Sequence, residues 1–227
     1  MTGAGGRKKP LLVLTDFDGT LSLTDVGYEV LLQFSGRGWD EIDRDYCEGR
    51  IGSMEAYGRI CAILGGTREE MLRFVAANAV IDPHFAEFYA FCRDRGIDVR
   101  VVSDGLDFYI DFVLRRHGLS EIPVYANVMR FDDGKPRSIE FPHASADCSK
   151  CGTCKSNILA SCQDAYGTIL YVGDGYSDLC PAARADLVFA KGILWTRLSR
   201  TQTGVRKYRS FRDVTAFLSR NGFTRNR

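Results

Sequence analysis

The chain has 227 residues, 45% of them hydrophobic and 26% charged, and values so near those of ordinary soluble domains exclude disorder, collagen-like repetition and a disulfide-stapled miniature scaffold. No run approaches the roughly 18 apolar residues a membrane span needs, and the basic, glycine-rich start, Met1 to Pro10, leads only into Leu11 to Leu14, too short for the apolar part of a signal peptide. The net charge of +1 hides an asymmetry, because ten Lys or Arg follow from Lys191 onward against Asp213 alone, while residues 11–190 hold 17 bases against 28 acids.

A solvated, charge-complementary surface accounts for that split. No aromatic-interleaved signature accompanies the bases, so a nucleic-acid partner is the weaker reading. The expectation is a cytoplasmic protein with a flexible tail at 1–10. Its eight cysteines should stay reduced there, and clustering among them points to metal or packing before disulfides.

In chain order, Leu11 to Thr15 is a short apolar run that ends in Asp16-Phe17-Asp18-Gly19-Thr20. A buried strand would present both carboxylates in the crevice at its end. Gly19, with Thr20 beside it, permits the tight turn that brings backbone amides near an anion. One carboxylate can attack while the other handles protons. Residues 24–78 contain several helical stretches and no convincing strand, too much for a simple crossover, and read as a small helical cap.

The spacing next predicts a helix from Asp82 to Arg95, with Asp82 as cap, Pro83 in the first turn, and Phe85, Phe88 and Cys92 facing the core. Val99 to Val102 reads as a strand ending in Ser103-Asp104-Gly105. A helix from Leu106 to His117 follows, with Ile110, Val113, Leu114 and His117 on one side. Val124 to Phe131 and Arg137 to Phe141 are extended segments around an Asp132-Asp133-Gly134 turn, a hairpin flap that with its cysteine-rich loop occupies 123–154.

Ile169 to Val172 is another buried run, ending in Gly173-Asp174-Gly175-Tyr176-Ser177-Asp178, and Leu187 to Ala190 is a further strand. Alternating strands and helices predict an α/β fold with a doubly wound, mostly parallel sheet and ligands beyond the strand ends. The core would be 11–23 and 79–227. Asp174 is placed to complete a hard-oxygen Mg²⁺ site with the first acidic strand end, and Asp178 to orient the residues around it.

Four ordered pieces, DFDGT, Ser103 ending a strand, Lys155 opening a helix, and GDGYSD, resemble the haloacid dehalogenase superfamily of aspartate-nucleophile phosphatases. The resemblance implies a Rossmann-like core, Asp16 as nucleophile through an aspartyl-phosphate, and Asp18 as the acid that protonates the leaving alcohol and then activates water. It also implies that Ser103 bonds phosphoryl oxygens, that Lys155 neutralises them, and that Asp16, the Asp18 carbonyl and Asp174 hold Mg²⁺. The partner would be a small phosphorylated metabolite.

Within that superfamily the sequence is similar to phosphoserine-phosphatase-like enzymes. VSDGLDFYI, the His143-to-Lys155 stretch and YVGDGYSDLCP resemble two branches: phosphoethanolamine/phosphocholine phosphatases, and the methionine-salvage phosphatase acting on 2-hydroxy-3-keto-5-methylthiopentenyl-1-phosphate. Asp104 stands where a Gly is usual and Ser177 where an Asn is usual. Asp25, Asp104 and Gly105 are the substrate-side candidates. Carboxylates of Asp25 and Asp104 near the leaving group would favour amino or neutral head groups, unless Asp104 only caps the helix after it and Asp25 only the start of the helical cap.

Cys148, Cys151 and Cys154 form C-x2-C-x2-C with His143 nearby, a possible structural Zn²⁺ set or a packed thiol loop beneath the flap. Cys47, Cys61, Cys92, Cys162 and Cys180 read as small core residues. A reading from another class, a non-catalytic zinc or nucleic-acid binding module, has no need of Asp16, Asp18, Ser103, Lys155 and Asp174 together.

Overall fold

Five consecutive buried residues, Leu11–Thr15, form β1, and their side chains alternate between two cores. Leu11 and Val13 face one side of the sheet, Leu12 and Leu14 the other. A strand apolar on both faces belongs in the middle of a parallel sheet covered by helices. The structure, a computed structural model, describes residues 11–148 and 150–223, so the expected tail at 1–10 lies outside the described residues.

After β1 the chain turns through residues 17–21 into α1 (Val26–Phe34), α2 (Trp39–Cys47), α3 (Ser53–Ile63) and α4 (Arg68–Asn78). It then returns through α5 (Phe85–Asp94), β2 (Asp98–Leu106), α6 (Asp107–Arg116), β3 (Val124–Asp132) and β4 (Lys135–Glu140). The remainder is α7 (Lys155–Cys162), β5 (Thr168–Gly173), α8 (Leu179–Ala182), β6 (Leu187–Ala190), α9 (Gly192–Leu198), β7 (Val205–Lys207) and α10 (Phe211–Arg220). The sheet order is β4-β3-β2-β1-β5-β6-β7, parallel throughout except for the β3/β4 pair. This is the expected doubly wound α/β architecture, with the acidic ends of β1 and β5 side by side.

The passages into and out of the four-helix segment pair with each other. Leu23 donates its amide to the Val80 carbonyl at 2.8 Å and Asp82 to the Leu21 carbonyl at 2.9 Å, about an antiparallel bridge between Ser22 and Ile81. Asp82 does not cap α5, which begins at Phe85. Its carboxylate instead accepts from the His84 amide at 2.8 Å and the Phe211 amide at 3.0 Å. The phenylalanine face expected of α5 is buried, and α10 completes it: the Phe211 ring lies 4.7 Å from Phe85 and 4.9 Å from Phe88.

Three further expectations change. The hairpin is not a free flap, because β3 pairs in parallel with β2 and continues the sheet, and the Gly134 carbonyl accepts from the Arg68 amide at 2.7 Å. Its turn does use the left-handed geometry that Asp-Gly favours, with φ of 47° at Asp133 and 77° at Gly134. His117 is the exposed residue after α6 and does not join the buried stripe of Ile110, Val113 and Leu114. Of the five scattered cysteines, Cys92 and Cys162 are buried, whereas Cys61 is half-buried and Cys47 and Cys180 are exposed.

Candidate active site

Asp16 leaves β1 with its carboxylate buried; Oδ1 accepts from the Phe17 amide at 2.7 Å, and Oδ2 lies 2.9 Å from Lys155 Nζ. Three residues on, Gly19 adopts φ +69°, and a Cβ there would collide with the Asp174 carboxylate. Glycine is therefore required twice over, by backbone geometry and by space. Thr20 donates its hydroxyl to Asp174 Oδ1 at 2.6 Å, locking the β1 turn to the end of β5.

Lys155 opens α7 almost without exposure. Its ammonium donates to Asp178 Oδ1 at 2.7 Å and Ser177 Oγ at 3.1 Å besides its contact with Asp16. Burial works against that charge, but Asp16 and Asp178 outweigh it and hold the lysine above its ordinary value. Asp178 is saturated: the Tyr171 hydroxyl reaches Oδ1 at 2.6 Å, and the Asp174 and Gly175 amides reach Oδ2 at 2.9 Å each. Burial pushes this carboxyl up, yet Lys155 and these bonds bring it below the usual range.

Asp16 and Asp174 behave oppositely. Burial and then the Asp178 charge push Asp16 well up, and burial pushes Asp174 up to about 6. Among the described residues, Asp16, Asp174 and Asp178 are the one set of such ligands with oxygens within 4.8 Å of one another. With Asp178 already satisfied, the under-compensated pair is Asp16 and Asp174. Two carboxylates at a strand edge suit a hard cation such as Mg²⁺, which keeps several waters.

The Asp18 side chain turns away from this cluster. Oδ1 accepts from the Gly27 amide at 3.2 Å and Oδ2 from the Tyr109 hydroxyl at 2.5 Å. Burial, followed by the charge of Asp25, pushes its carboxyl up to about 7. Gly27 and Gly105 make room for the Tyr109 ring, since a Cβ at either position would collide with the phenol oxygen. Tyr109 is not distinguished in the sequence, where an aromatic on a buried helix face reads as core.

Ser103 is buried where β2 reaches the cleft, and its Oγ accepts from the Gly105 amide at 3.0 Å. Asp25 takes the N-cap position of α1, accepting from the Tyr28 amide at 2.8 Å, and also lines the cleft. Asp104 departs from expectation. It does not cap α6, whose N-cap Leu106 has no side-chain bond, and it lines the cleft beside Ser103 with its carboxylate bonded within the protein. Its Oδ1 accepts from the Thr153 amide at 2.8 Å and Asn127 Nδ2 at 3.1 Å.

These residues share a cavity of about 450 Å³ whose far wall is Leu31, Trp39, Ile42, Ala56, Tyr57 and Ile60, from α1 to α3. Among the described residues that line it, Lys155 is the single cation; Asp25 and Asp43 are on the helical side. The His143, Cys148, Cys151 and Cys154 side chains are not brought together as a ligand set among the described residues. His143 packs edge-on against Tyr125, with ring centroids 5.2 Å apart, and its carbonyl accepts from the Cys154 amide at 2.8 Å. Burial pushes the Cys151 thiol up to about 12. Nothing in this arrangement supports zinc.

Residues 11–206 match the model of the family described as "Putative Phosphatase". A Brevibacillus brevis protein named 2-hydroxy-3-keto-5-methylthiopentenyl-1-phosphate phosphatase is 30% identical over 213 residues, covering 92% of this chain and 96% of its own. A Geobacillus kaustophilus protein of the same name is 30% identical over 216 residues, covering 93% and 97%. A solved phosphoserine phosphatase carrying a phospho-aspartyl intermediate analogue superposes with a TM-score of 0.71 at 22% identity, over 92% of this chain and 99% of its own. No helix among the described residues is long and apolar enough to cross a membrane.

Proposed function

The chain belongs to this phosphatase family, within the haloacid dehalogenase superfamily, and on that premise we propose a Mg²⁺-dependent hydrolase in which Asp16 is the nucleophile and Asp18 the acid and base. The observation that carries the proposal is the contrast between two aspartates two residues apart. Asp16 is paired with Lys155 at 2.9 Å, whereas the Asp18 carboxylate accepts from the Tyr109 hydroxyl at 2.5 Å and the Gly27 amide at 3.2 Å, and burial pushes both carboxyls up. Carboxyls placed in such different surroundings divide nucleophile from proton carrier.

An Asp16 oxygen forms a bond to phosphorus as the ester oxygen's bond breaks, and the proton on Asp18 goes to the departing alcohol. Asp18, now ionised, takes a proton from water, whose oxygen attacks the same phosphorus and frees the Asp16 carboxylate. Lys155 and Ser103 hold phosphoryl oxygens in both steps, and Asp178 holds Lys155. Asp16, the Asp18 carbonyl and Asp174 would hold Mg²⁺, whose charge would neutralise that of the transferred group. Residues 24–78 act as the cap that supplies the far wall.

For substrate, the cavity disfavours a second anionic group, having no cation but Lys155 among the described residues that line it. The apolar wall suits an uncharged tail such as that of 2-hydroxy-3-keto-5-methylthiopentenyl-1-phosphate, and we take this ester as the first candidate. Asp25 and Asp43, with the Tyr28 and Trp39 rings packed edge-on at 5.7 Å, favour an amino-headed phosphomonoester as the second. The unpaired cysteines accord with a reducing cytoplasm.

The test is phosphate release from that ester, phosphoethanolamine, phosphocholine, phosphoserine and 3-phosphoglycerate, with Mg²⁺ and with EDTA. Turnover of the uncharged or amino-headed esters, lost in EDTA, is expected. Equal or better turnover of the carboxylated esters would overturn the substrate assignment, and turnover unaffected by EDTA the metal assignment.

A further inference from the structure

α7 begins at Lys155 with Cys154 in the N-cap position, and no side chain of its own caps it. A helix start without a cap frays, yet Lys155 must hold its ammonium within hydrogen-bond distance of both Asp16 and Asp178. The backbone just before it is held from outside. The Thr153 amide donates to Asp104 Oδ1 at 2.8 Å, and the Thr153 hydroxyl donates to Asn127 Oδ1 at 3.0 Å.

Asn127 closes the ring by donating its Nδ2 to the Asp104 carbonyl at 2.7 Å and to Asp104 Oδ1 at 3.1 Å. Asn127 and Thr153 are buried. The close approach leaves no space at Gly152, where a Cβ would lie 2.5 Å from Asn127 Oδ1. The ring therefore has one member beside Ser103 and another two residues before Lys155. The Asp104 carbonyl also accepts from the Tyr57 hydroxyl of α3 at 2.9 Å, so the far wall is tied to the same point.

We infer that Asp104 is a positioning residue: its carboxylate, through Thr153 and Asn127, sets Lys155 against Asp16 and fixes its spacing from Ser103. It does not select the substrate's head group. This rests on the reading of Lys155 as the cation that binds the transferred phosphoryl group. A shortened side chain at 104 leaves the Thr153 amide without its acceptor, and the start of α7 relaxes. Asparagine keeps an oxygen acceptor in the same place and restores the bond without the charge.

The experiment measures kcat and KM for phosphoethanolamine and 3-phosphoglycerate in wild type, Asp104→Ala, Asp104→Asn, Asn127→Ala, Lys155→Ala and the Asp104→Ala/Lys155→Ala double variant. We expect Asp104→Ala and Asn127→Ala each to lower kcat at least tenfold with KM changed less than threefold. Asp104→Asn should return to within about threefold of wild type, and Asp104→Ala should cost less than threefold more once Lys155 is gone. A change in preference between the two esters in both Asp104 variants would overturn the inference in favour of direct head-group contact. So would a full tenfold cost in the double variant. Near-normal kcat in Lys155→Ala would instead remove the reading of Lys155 itself. If Asp104→Ala does not fold, Asn127→Ala and Asp104→Asn decide the matter by the same criteria.

Discussion

The Tyr109 hydroxyl donates to Asp18 Oδ2 at 2.5 Å, the one side-chain donor among the described residues on a carboxyl that burial has pushed up to about 7. That bond favours the ionised form and restrains the upward shift. Tyr109→Phe removes it, and a bond to an ionised group is worth roughly 1.5–3 kcal/mol, so both limbs of the pH–rate profile should move up by about one to two pH units. At pH 6 the variant should hydrolyse its phosphoenzyme more slowly than wild type. Gly105→Ala, which puts a methyl where the phenol oxygen stands, should produce the same direction of shift with a larger fall in kcat. An unmoved profile in Tyr109→Phe would separate Tyr109 from the proton carrier.

Asp16→Asn should abolish turnover and acid-stable trapping of phosphate on the protein. Asp18→Asn keeps the nucleophile and should slow release by about the 10²- to 10⁴-fold typical of a lost proton carrier. Rapid-quench measurement of protein-bound phosphate distinguishes the two. Residual turnover above a small percentage in Asp16→Asn would assign the attacking oxygen elsewhere.

Asp16 and Asp174 bind protons more tightly in the folded chain than in the unfolded one, where a carboxyl titrates near 3.8. The metal-free fold therefore retains protons that the unfolded chain has released, and it loses stability as pH rises from near 4 through about 6. Melting temperature in EDTA should fall across that window, and Asp174→Asn should flatten the fall. At pH 7.5, Mg²⁺ at a hundredfold excess over its Kd should add about 2.7 kcal/mol, or roughly 5–10 °C for a chain of this size. The increment should be smaller at pH 5 and absent in Asp174→Asn.

The far wall offers a test of selectivity. Ile42→Arg places a guanidinium in a cavity whose lining has no cation but Lys155. Its kcat/KM for phosphoserine relative to phosphoethanolamine should rise at least tenfold, while Ile42→Met should leave the ratio unchanged. Equal ratios in both variants would place the head group away from α2.

The central strands were legible because a short apolar run that stops at acids can be buried on both faces only as an inner strand, with its charges left at the sheet edge. Leu11 to Thr15 with Asp16 and Asp18, and the run before Asp174, stand where the pattern put them. Lys155 was legible as a helix opener, but the residues that aim it were not. Asn127 and Thr153 meet Asp104 from 23 and 49 residues away, and no local pattern encodes such a ring. Asp82 misled for a related reason: its position before Pro83 is a good capping signature, but one carboxylate oxygen takes the His84 amide and the other the Phe211 amide from across the sequence. For β7 the signal was only three residues long. α10 could have been found, since Ser210 and Asp213 form a capping box ahead of Phe211, Val214 and Leu218 at helical spacing.

The bond from the Phe211 amide to Asp82 has a consequence for biosynthesis. Asp82 sits in the passage that brings the chain out of the four-helix segment and back to the sheet, and that passage pairs with the one leading in. A ribosome has made every residue of the phosphate site, Asp178 included, before it reaches Phe211. Until then the Asp82 carboxylate lacks one of its partners, and the Phe85 and Phe88 rings have no Phe211 to pack against. The reacting groups are thus synthesised well before the passage beneath them is fastened, and α10 is the helix that secures it.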